Sequence, residues 1–403
     1  MTYDRGGLTA GWDRSGLPAW TYHSPALLEL EKQELFRQHW QIAGHVSDVP
    51  KAGDFFALDM VDERALIVRG EDGVLRAFHN LCRHRGSRVT AEARGHCARA
   101  FVCPFHGWVY NRDGSLRGAA RPESFGNLDR AKFGLKPLEL EVWMGFIFIR
   151  FLPGPQPSVA EVMAGHAGEL AAYRPEEMVP ASKGYQFPIA VNWKSVRDVD
   201  NEGYHVAMAH PALQELYGHS YADCGFENGT SRSEGTFNRA GARLWSVRNY
   251  VALSDPPQWL DGEKRECWAY YGLFPNAVIA VTPETIQFYQ EFPLAVDRSL
   301  IRGAVYRRRD ESRQQRLARY LAARIDRDTG REDVQLSVWS NESMKSSGFD
   351  GFHLSDLEKG VRSHHDHIRA VLPVTRCETR PPEADIAALN GKMTKAAAGI
   401  APA

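Results

Sequence analysis

Cys82-Arg83-His84 and Cys103-Pro104-Phe105-His106 put one thiol and one imidazole on each of two short loops, and a glycine, Gly86 or Gly107, follows each. Two thiolates and two imidazoles at this spacing suit a [2Fe–2S] cluster with both Cys on one iron and both His on the other. The same donors also make up a Cys2His2 zinc set. Zinc ribbons and fingers, however, group Cys with Cys and His with His, whereas each loop here supplies one of each. The remaining reading, four unrelated core residues, needs two His to recur at matching offsets from two Cys. His96 and Cys97 lie between the loops and read as residues of the intervening arm.

A second constellation lies at Asp198-Val199-Asp200-Asn201-Glu202-Gly203-Tyr204-His205 through His210-Pro211. On a regular helix, residues five apart sit about 140° apart around the axis, too far to share one ion. For His205 and His210 to act together the helix must break between them, and Pro211 stands just beyond. With one carboxylate, two such His form the facial triad of Fe(II) oxygenases, which leaves positions open for O2. Taken alone, the pair is also explained as two polar residues on a helix face. His364, His365 and His367 share a segment with Lys359, Arg362 and Arg369, and read as a solvated face.

The elements that must carry these residues fall into two groups. Ser24 caps a helix with Pro25 at its first position, and Leu27, Leu28, Leu30, Leu35, Phe36 and Trp40 form its apolar face. From residue 40 to 151 the pattern is short β-like runs (55–58, 65–68, 74–78 and 143–149) split by turns such as Gly70-Glu71-Asp72-Gly73. Leu152-Pro153-Gly154-Pro155-Gln156-Pro157 marks a boundary. Beyond it come helical patterns at 159–173 and 310–326, strand-like segments between 245 and 306, a last helix over 355–372, and a frayed tail over 395–403. The expected organisation is an α+β chain: a helical arm over 1–40, a small antiparallel β domain over 41–152 with the cluster at loop tips, and a larger domain over 153–403. At 403 residues, two domains are also what core size favours. A net charge of −1 offers no basic field for nucleic acid or anionic lipid. No apolar run approaches the ~20 residues of a membrane span, and the polar opening has no secretion signal. The expectation is a cytoplasmic protein whose four other cysteines, Cys97, Cys224, Cys267 and Cys377, stay thiols.

The text Phe78-His79-Asn80-Leu81-Cys82-Arg83-His84-Arg85-Gly86-Ser87, with Cys103-Pro104-Phe105-His106-Gly107-Trp108 19 positions after His84, closely resembles the Rieske non-haem iron oxygenases, large (alpha) subunit. The segment of Glu202, Tyr204-His205 and His210 is similar to that family's iron-binding stretch. The resemblance implies a Rieske cluster on Cys82, His84, Cys103 and His106, a mononuclear Fe(II) on His205 and His210, and a catalytic domain whose antiparallel sheet wraps around helices (helix-grip, START-like). It places the third iron ligand on an Asp late in the chain, which selects Asp333, with Glu332 as runner-up. Glu202, one methylene longer than the family's usual Asp, is implied as the acid bridging to a Rieske histidine of a neighbouring subunit. Asp198 is the second candidate catalytic acid, and Asp198 and Asp200 also read as helix or supporting residues. A head-to-tail homotrimer is implied as well. No Gly-x-Gly-x-x-Gly follows a strand-like run, so a separate flavin and iron–sulfur reductase is expected to bring electrons from NAD(P)H. The opening Gly16-Leu17-Pro18-Ala19-Trp20-Thr21-Tyr22 and Glu202 resemble the branch acting on quaternary ammonium compounds such as stachydrine, glycine betaine and carnitine. Ten aromatics over 245–292, against 11% in the whole chain, suit core strands and also a site for a cation that donates no hydrogen bonds. The expected reaction is monooxygenation leading to oxidative N-demethylation. The alternatives are ring dihydroxylation, O-demethylation, or plain electron transfer without catalysis.

Overall fold

The computed structural model describes residues 12–398; the opening stretch up to residue 11 and tail residues 399–403 lie outside the described residues. The chain divides into two compact units: Arg37–Val159, and the described residues up to Phe36 together with those from Ala160 on. The amino-terminal segment thus groups with the larger unit and does not stand apart as an arm.

In the unit Arg37–Val159, three small antiparallel sheets enclose Phe55, Leu66, Val68, Phe78, Trp108 and Tyr110. The runs at 55–58 and 65–68 lie in strands Asp54–Met60 and Glu63–Arg69, and β1 (Leu75–His79) pairs beside the latter and leads into the first Cys/His loop. β2 (Phe101–Val102) and β3 (Val109–Tyr110) pair Phe101 with Tyr110 and Val102 with Val109, so the second Cys/His loop is a hairpin tip. The apolar run at 143–149 is not one strand. β4 (Glu139–Trp143) and β5 (Phe146–Arg150) turn at Met144 and Gly145, with φ of 50° and 77°. Two central residues at positive φ make a tight hairpin turn that follows the strand twist, and a Cβ at Gly145 would strike the His45 ring.

The larger unit is built on an eight-stranded antiparallel sheet. α1 (Pro25–Glu31) starts as expected, with the Leu27 N–H donating to Ser24 Oγ at 3.1 Å, but it widens into a π turn over Lys32–Phe36 and stops short of Trp40. The strands that matter for the site are β6 (Tyr185–Ile189), β7 (Cys267–Leu273), β8 (Thr285–Ala295) and β9 (Arg298–Arg307). Packed with them are α2 (Trp193–Asp200), α3 (Val206–Ala209), α4 (Pro211–Tyr217), α5 (Trp245–Leu253) and α6 (Arg313–Ser343). α5 occupies a stretch expected to be strand: Val247 and Tyr250, three apart, are its buried pair, so helical spacing outweighs aromatic β propensity.

α6 runs 31 residues, far past the expected stop at Asp326. Ser312 and Gln315 close a capping box at its start. Ala318, Leu321, Ala322 and Ile325 bury its first half. From Asp326 the inward face turns polar, so the apolar period ends although the helix continues. α7 (Lys359–Val371) is followed by a further helix, α8 (Ile386–Ala397), so it is not the last. His364 and His365 on α7 are fully buried, contrary to a solvated face. His364 Nε2 lies 2.9 Å from the Pro275 carbonyl. The Leu17 N–H donates to His365 Nδ1, which leaves Nε2–H to donate to Asp198 at 2.8 Å. Among the described residues no helix is long and apolar enough to cross a membrane.

Candidate active site

The two Cys/His loops fold alike. The Cys82 N–H donates to the Ser87 carbonyl and the Gly86 N–H to the Cys82 carbonyl; Cys103 with Trp108, and Gly107 with Cys103, repeat the pattern at 2.8 and 3.0 Å. Gly86 and Gly107, with φ of 72° and 68°, supply the left-handed residue that each closure requires. Cys82 and Cys103 are buried and form no disulfide. Burial first, and the neighbouring Cys103 thiol next, push the Cys82 thiol up, against hydrogen bonds from Tyr110 and the His84 backbone. The His84 and His106 rings face each other edge-on at 4.6 Å, and His84 stacks on Trp108. His84 Nδ1 is buried with no protein partner, as a ligating nitrogen would be. A single ion needs all its donors close together. Among the described residues the only set of three whose ligand atoms lie within 4.8 Å of one another is His205, His210 and Asp333. The Cys/His loops therefore fit a two-iron cluster better than one zinc ion, and they bring like donors together in pairs.

Around His205 the helix breaks as ligand sharing requires. α2 ends at Asp200, α3 is a single turn, and His210 leaves helical geometry at φ −118°, ψ 79° before Pro211 opens α4. His205 Nε2 and His210 Nε2 lie 3.0 Å apart, and Asp333 Oδ1 lies 2.9 Å from His210 Nε2 and 3.4 Å from His205 Nε2. Donors ~2.1 Å from an ion sit about 3.0 Å apart at the right angles of a facial octahedral set, and about 3.4 Å apart in a tetrahedron. Two of the three separations match the facial value. Asp333 Oδ1 is buried between the two imidazoles, and the three donor atoms converge closely enough to share one ion.

Each imidazole is held from behind by its own carboxylate. Glu202 pairs with His205 Nδ1 and accepts the His205 N–H at 3.2 Å, while Glu332 Oε2 lies 2.8 Å from His210 Nδ1. Carboxylates on the far nitrogen fix tautomer and ring orientation around metal-bound His. Asp333 and Glu332, the two candidates for the third donor, thus take opposite sides of His210, and only Asp333 faces the shared point. Burial works to depress the His205 imidazole, but hydrogen bonds to Asp333 and Glu202 overcome it and raise it to about 10. The set draws positive charge strongly, as a cation site does.

Asp198 does not join them. The cavity takes the Val196, Val199 and Asp200 face of α2, and Asp198 points off it to accept from Tyr22 at 2.6 Å and from His365. It ties α2 to α7 and the amino-terminal segment. The cavity in front of the His205/His210/Asp333 set holds about 810 Å3. Of the aromatics over 245–292, only Tyr270 and Tyr289 line it. Tyr185, Phe187 and Tyr221 are the rings that sequence reasoning missed; the first two alternate on β6, the period of one strand face.

A model of the ring hydroxylating alpha subunit (catalytic domain) matches residues 170–373, and one of the Rieske [2Fe-2S] domain matches residues 39–131. The glycine betaine monooxygenase oxygenase subunit of Pseudomonas aeruginosa is 37% identical over 200 residues, 49% of this chain and 45% of that protein, so the match spans about half the relative's length. The chloroplastic choline monooxygenase of Spinacia oleracea is 32% identical over 361 residues, 87% of this chain and 76% of the relative. The crystal structure of the quaternary ammonium Rieske monooxygenase CntA with an inhibitor superposes with a TM-score of 0.75 at 22% identity, covering 89% of this chain and 95% of that one, a likeness of fold.

Proposed function

Because the chain belongs to the Rieske non-haem iron oxygenases, we propose that it is a terminal oxygenase component that monooxygenates a quaternary ammonium compound at an N-methyl carbon. The observation that carries this reading is the meeting of a three-donor face, His205, His210 and Asp333, with a large cavity walled by Tyr185, Tyr270 and Tyr289. When bound, the [2Fe–2S] cluster passes single electrons and the Fe(II) activates O2. Glu202 and Glu332 hold the two imidazoles in register, and the aromatic walls hold a cation that offers no hydrogen-bond donor, each ring contributing about 0.5 to 2 kcal/mol. The relatives named for glycine betaine, choline and quaternary ammonium compounds support the same class. The net change inserts one oxygen atom of O2 into an N–CH3 bond to hydrogen and reduces the other to water with two electrons and two protons. The resulting N-hydroxymethyl ammonium loses its hydroxyl proton and breaks its C–N bond, giving formaldehyde, a tertiary amine and that proton.

The electrons come from a separate flavin and iron–sulfur reductase, and six cysteines that form no disulfide suit a reducing cytoplasm. The working assembly is a homotrimer in which Glu202 couples His205 to a Rieske histidine of the next subunit; a head-to-tail contact that closes on itself makes such a ring. An active monomer refutes the assembly. The test of the reaction incubates the chain, a reductase and NADH with a betaine panel and an arene panel, assaying formaldehyde and cis-diol. Formaldehyde from a betaine is the expected result. Diol from an arene with no formaldehyde from any betaine overturns the substrate class, and absence of mononuclear iron in the purified protein overturns catalysis itself.

A further inference from the structure

Asp326 takes no part in the donor set, yet it lines the same cavity. On α6 the residues Asp326, Gly330, Asp333 and Ser337 are spaced four, three and four apart, which puts them on one face, and all four line the cavity. Asp326 sits two turns before Asp333, about 10.5 Å along the axis. The helix therefore carries one carboxylate to the reacting centre and a second one further along the same cavity wall.

The other acids of that wall each have a cationic partner. Asp200 lies 3.0 Å from Arg197 and accepts the Tyr289 hydroxyl at 2.8 Å, and Glu291 lies 2.8 Å from Arg197. Glu202 pairs with His205, and Asp333 with both histidines. Asp326 has a hydrogen bond from the neutral Gln287 amide, and burial followed by the Asp333 and Asp200 charges pushes its carboxyl up to about 6. Arg327 and Arg331 line the cavity as well, but neither is ion-paired with Asp326: Arg327 is exposed, and Arg331 lies 3.7 Å from Asp328. An ionised carboxylate on a cavity wall without a cation is costly unless a ligand brings one.

The rings beside it have their hydroxyls already engaged. Tyr289 donates to Asp200, and the Tyr270 and Tyr217 hydroxyls lie 3.0 Å apart. What these two side chains have left for a ligand is the π-face, which attracts a cation without needing a donor from it. Burial, and after it the Asp326 charge, raise the Tyr270 phenol, which places Asp326 within electrostatic reach of that ring.

We propose that Asp326 is the carboxylate that recognises the substrate's ammonium group, with Tyr270 and Tyr289 packing against the same group, so that this residue sets selectivity for cations over neutral molecules of equal shape. The assignment rests on the quaternary ammonium reading above. Asp326 is a specificity residue and not a ligand of the metal, because His205, His210 and Asp333 supply the converging atoms without it.

The experiment uses the holoprotein with both metal centres loaded and measures binding by calorimetry. The probes are choline and its neutral carbon isostere 3,3-dimethylbutan-1-ol, applied to the wild type, Asp326→Asn and Asp326→Glu. The expected result is that Asp326→Asn weakens choline on the order of 100-fold, the effect of one unit charge nearby in a partly buried site. The isostere binds it as it binds the wild type, Asp326→Glu recovers much of the choline affinity, and iron content and the cluster's visible spectrum are unchanged in both variants. Equal choline affinity in wild type and Asp326→Asn overturns the role of Asp326 while leaving the quaternary ammonium reading intact. Equal losses for choline and the isostere, or loss of iron, also overturn it by showing a structural role. A wild type that binds the isostere but not choline sinks the quaternary ammonium reading and this inference with it.

Discussion

Replacing Glu332 by Gln, beside Asp333→Ala, separates the two carboxylates that compete for the third iron position. The two acids are adjacent in sequence but act on opposite nitrogens of His210: Asp333 Oδ1 is 2.9 Å from Nε2, and Glu332 Oε2 is 2.8 Å from Nδ1. Gln at 332 keeps an acceptor for the Nδ1 proton and loses only the charge. Removing an orienting carboxylate behind a metal-bound His costs about 10- to 100-fold in metal affinity. The Glu332 side chain is 38% exposed, so its charge is already well screened and the loss belongs at the low end, about tenfold or ~1.4 kcal/mol. Asp333→Ala removes the acid that faces both Nε2 atoms, and its loss should exceed the ~100-fold ceiling of an orienting group. Iron per chain, measured after equilibration in a ferrous buffer series, reads both effects, and acid-labile sulfide reports independently that the cluster is intact. The reasoning fails if Glu332→Gln sheds iron as completely as Asp333→Ala.

Cys82→Ser should abolish the cluster's visible absorption and acid-labile sulfide, while Cys97→Ser, on the arm outside the two loops, should keep both; a colourless Cys97→Ser protein would reassign the ligands. Glu202→Gln should lower turnover at least about tenfold with both metal centres still loaded, and an unchanged rate would remove Glu202 from the catalytic path. Glu291→Gln leaves the buried Arg197 with Asp200 alone and should cost about 3 kcal/mol, the lower end for breaking a buried pair, read as a drop in thermal midpoint by near-UV circular dichroism. Asp223 gives a pH test: burial, with the Glu202 charge behind it, raises its carboxyl from 3.8 to about 6. The folded chain then holds that proton more tightly than the unfolded one, so the associated stability is complete below about pH 4 and lost as pH rises through 6. Asp223→Asn should melt with less pH dependence across that interval, and parallel melting curves for the two proteins would contradict it.

The cluster loops were legible in the sequence because everything they need is local. Each loop carries its own donors, its own left-handed glycine and its own closing hydrogen bonds within six residues. The break between His205 and His210 was legible for a similar reason, since a spacing of five cannot serve one ion on a straight helix. Asp198 and His365 were not: they lie 167 positions apart and meet only when α7 packs behind α2, and from the sequence Asp198 reads as a catalytic or supporting acid and His365 as part of a solvated face. The turn at Met144 was hidden inside an apolar run whose composition is that of a strand on both sides. The cavity aromatics were half legible, because strand periodicity fixes which residues share a face but not which face meets the cavity.

The error over α6 is the informative one. Hydrophobic periodicity finds a helix by its buried apolar stripe, and past Ile325 the stripe on this helix becomes Asp326, Gly330, Asp333 and Ser337. The backbone period continues unbroken, but the signal inverts because the inward face stops meeting the core and starts lining the cavity. Polar residues at helical spacing, continuous in phase with an apolar stripe, are thus a sequence signature of a helix that passes from packing to a binding site. In this chain the inversion begins at Asp326 and includes Asp333, so the positions where the apolar signal stopped are the ones that carry the proposed iron ligand and the proposed recognition of the substrate's charge. A one-residue insertion between them would turn Asp326 by about 100° relative to Asp333, which is why rigid helical continuity, and not a loop, joins the two.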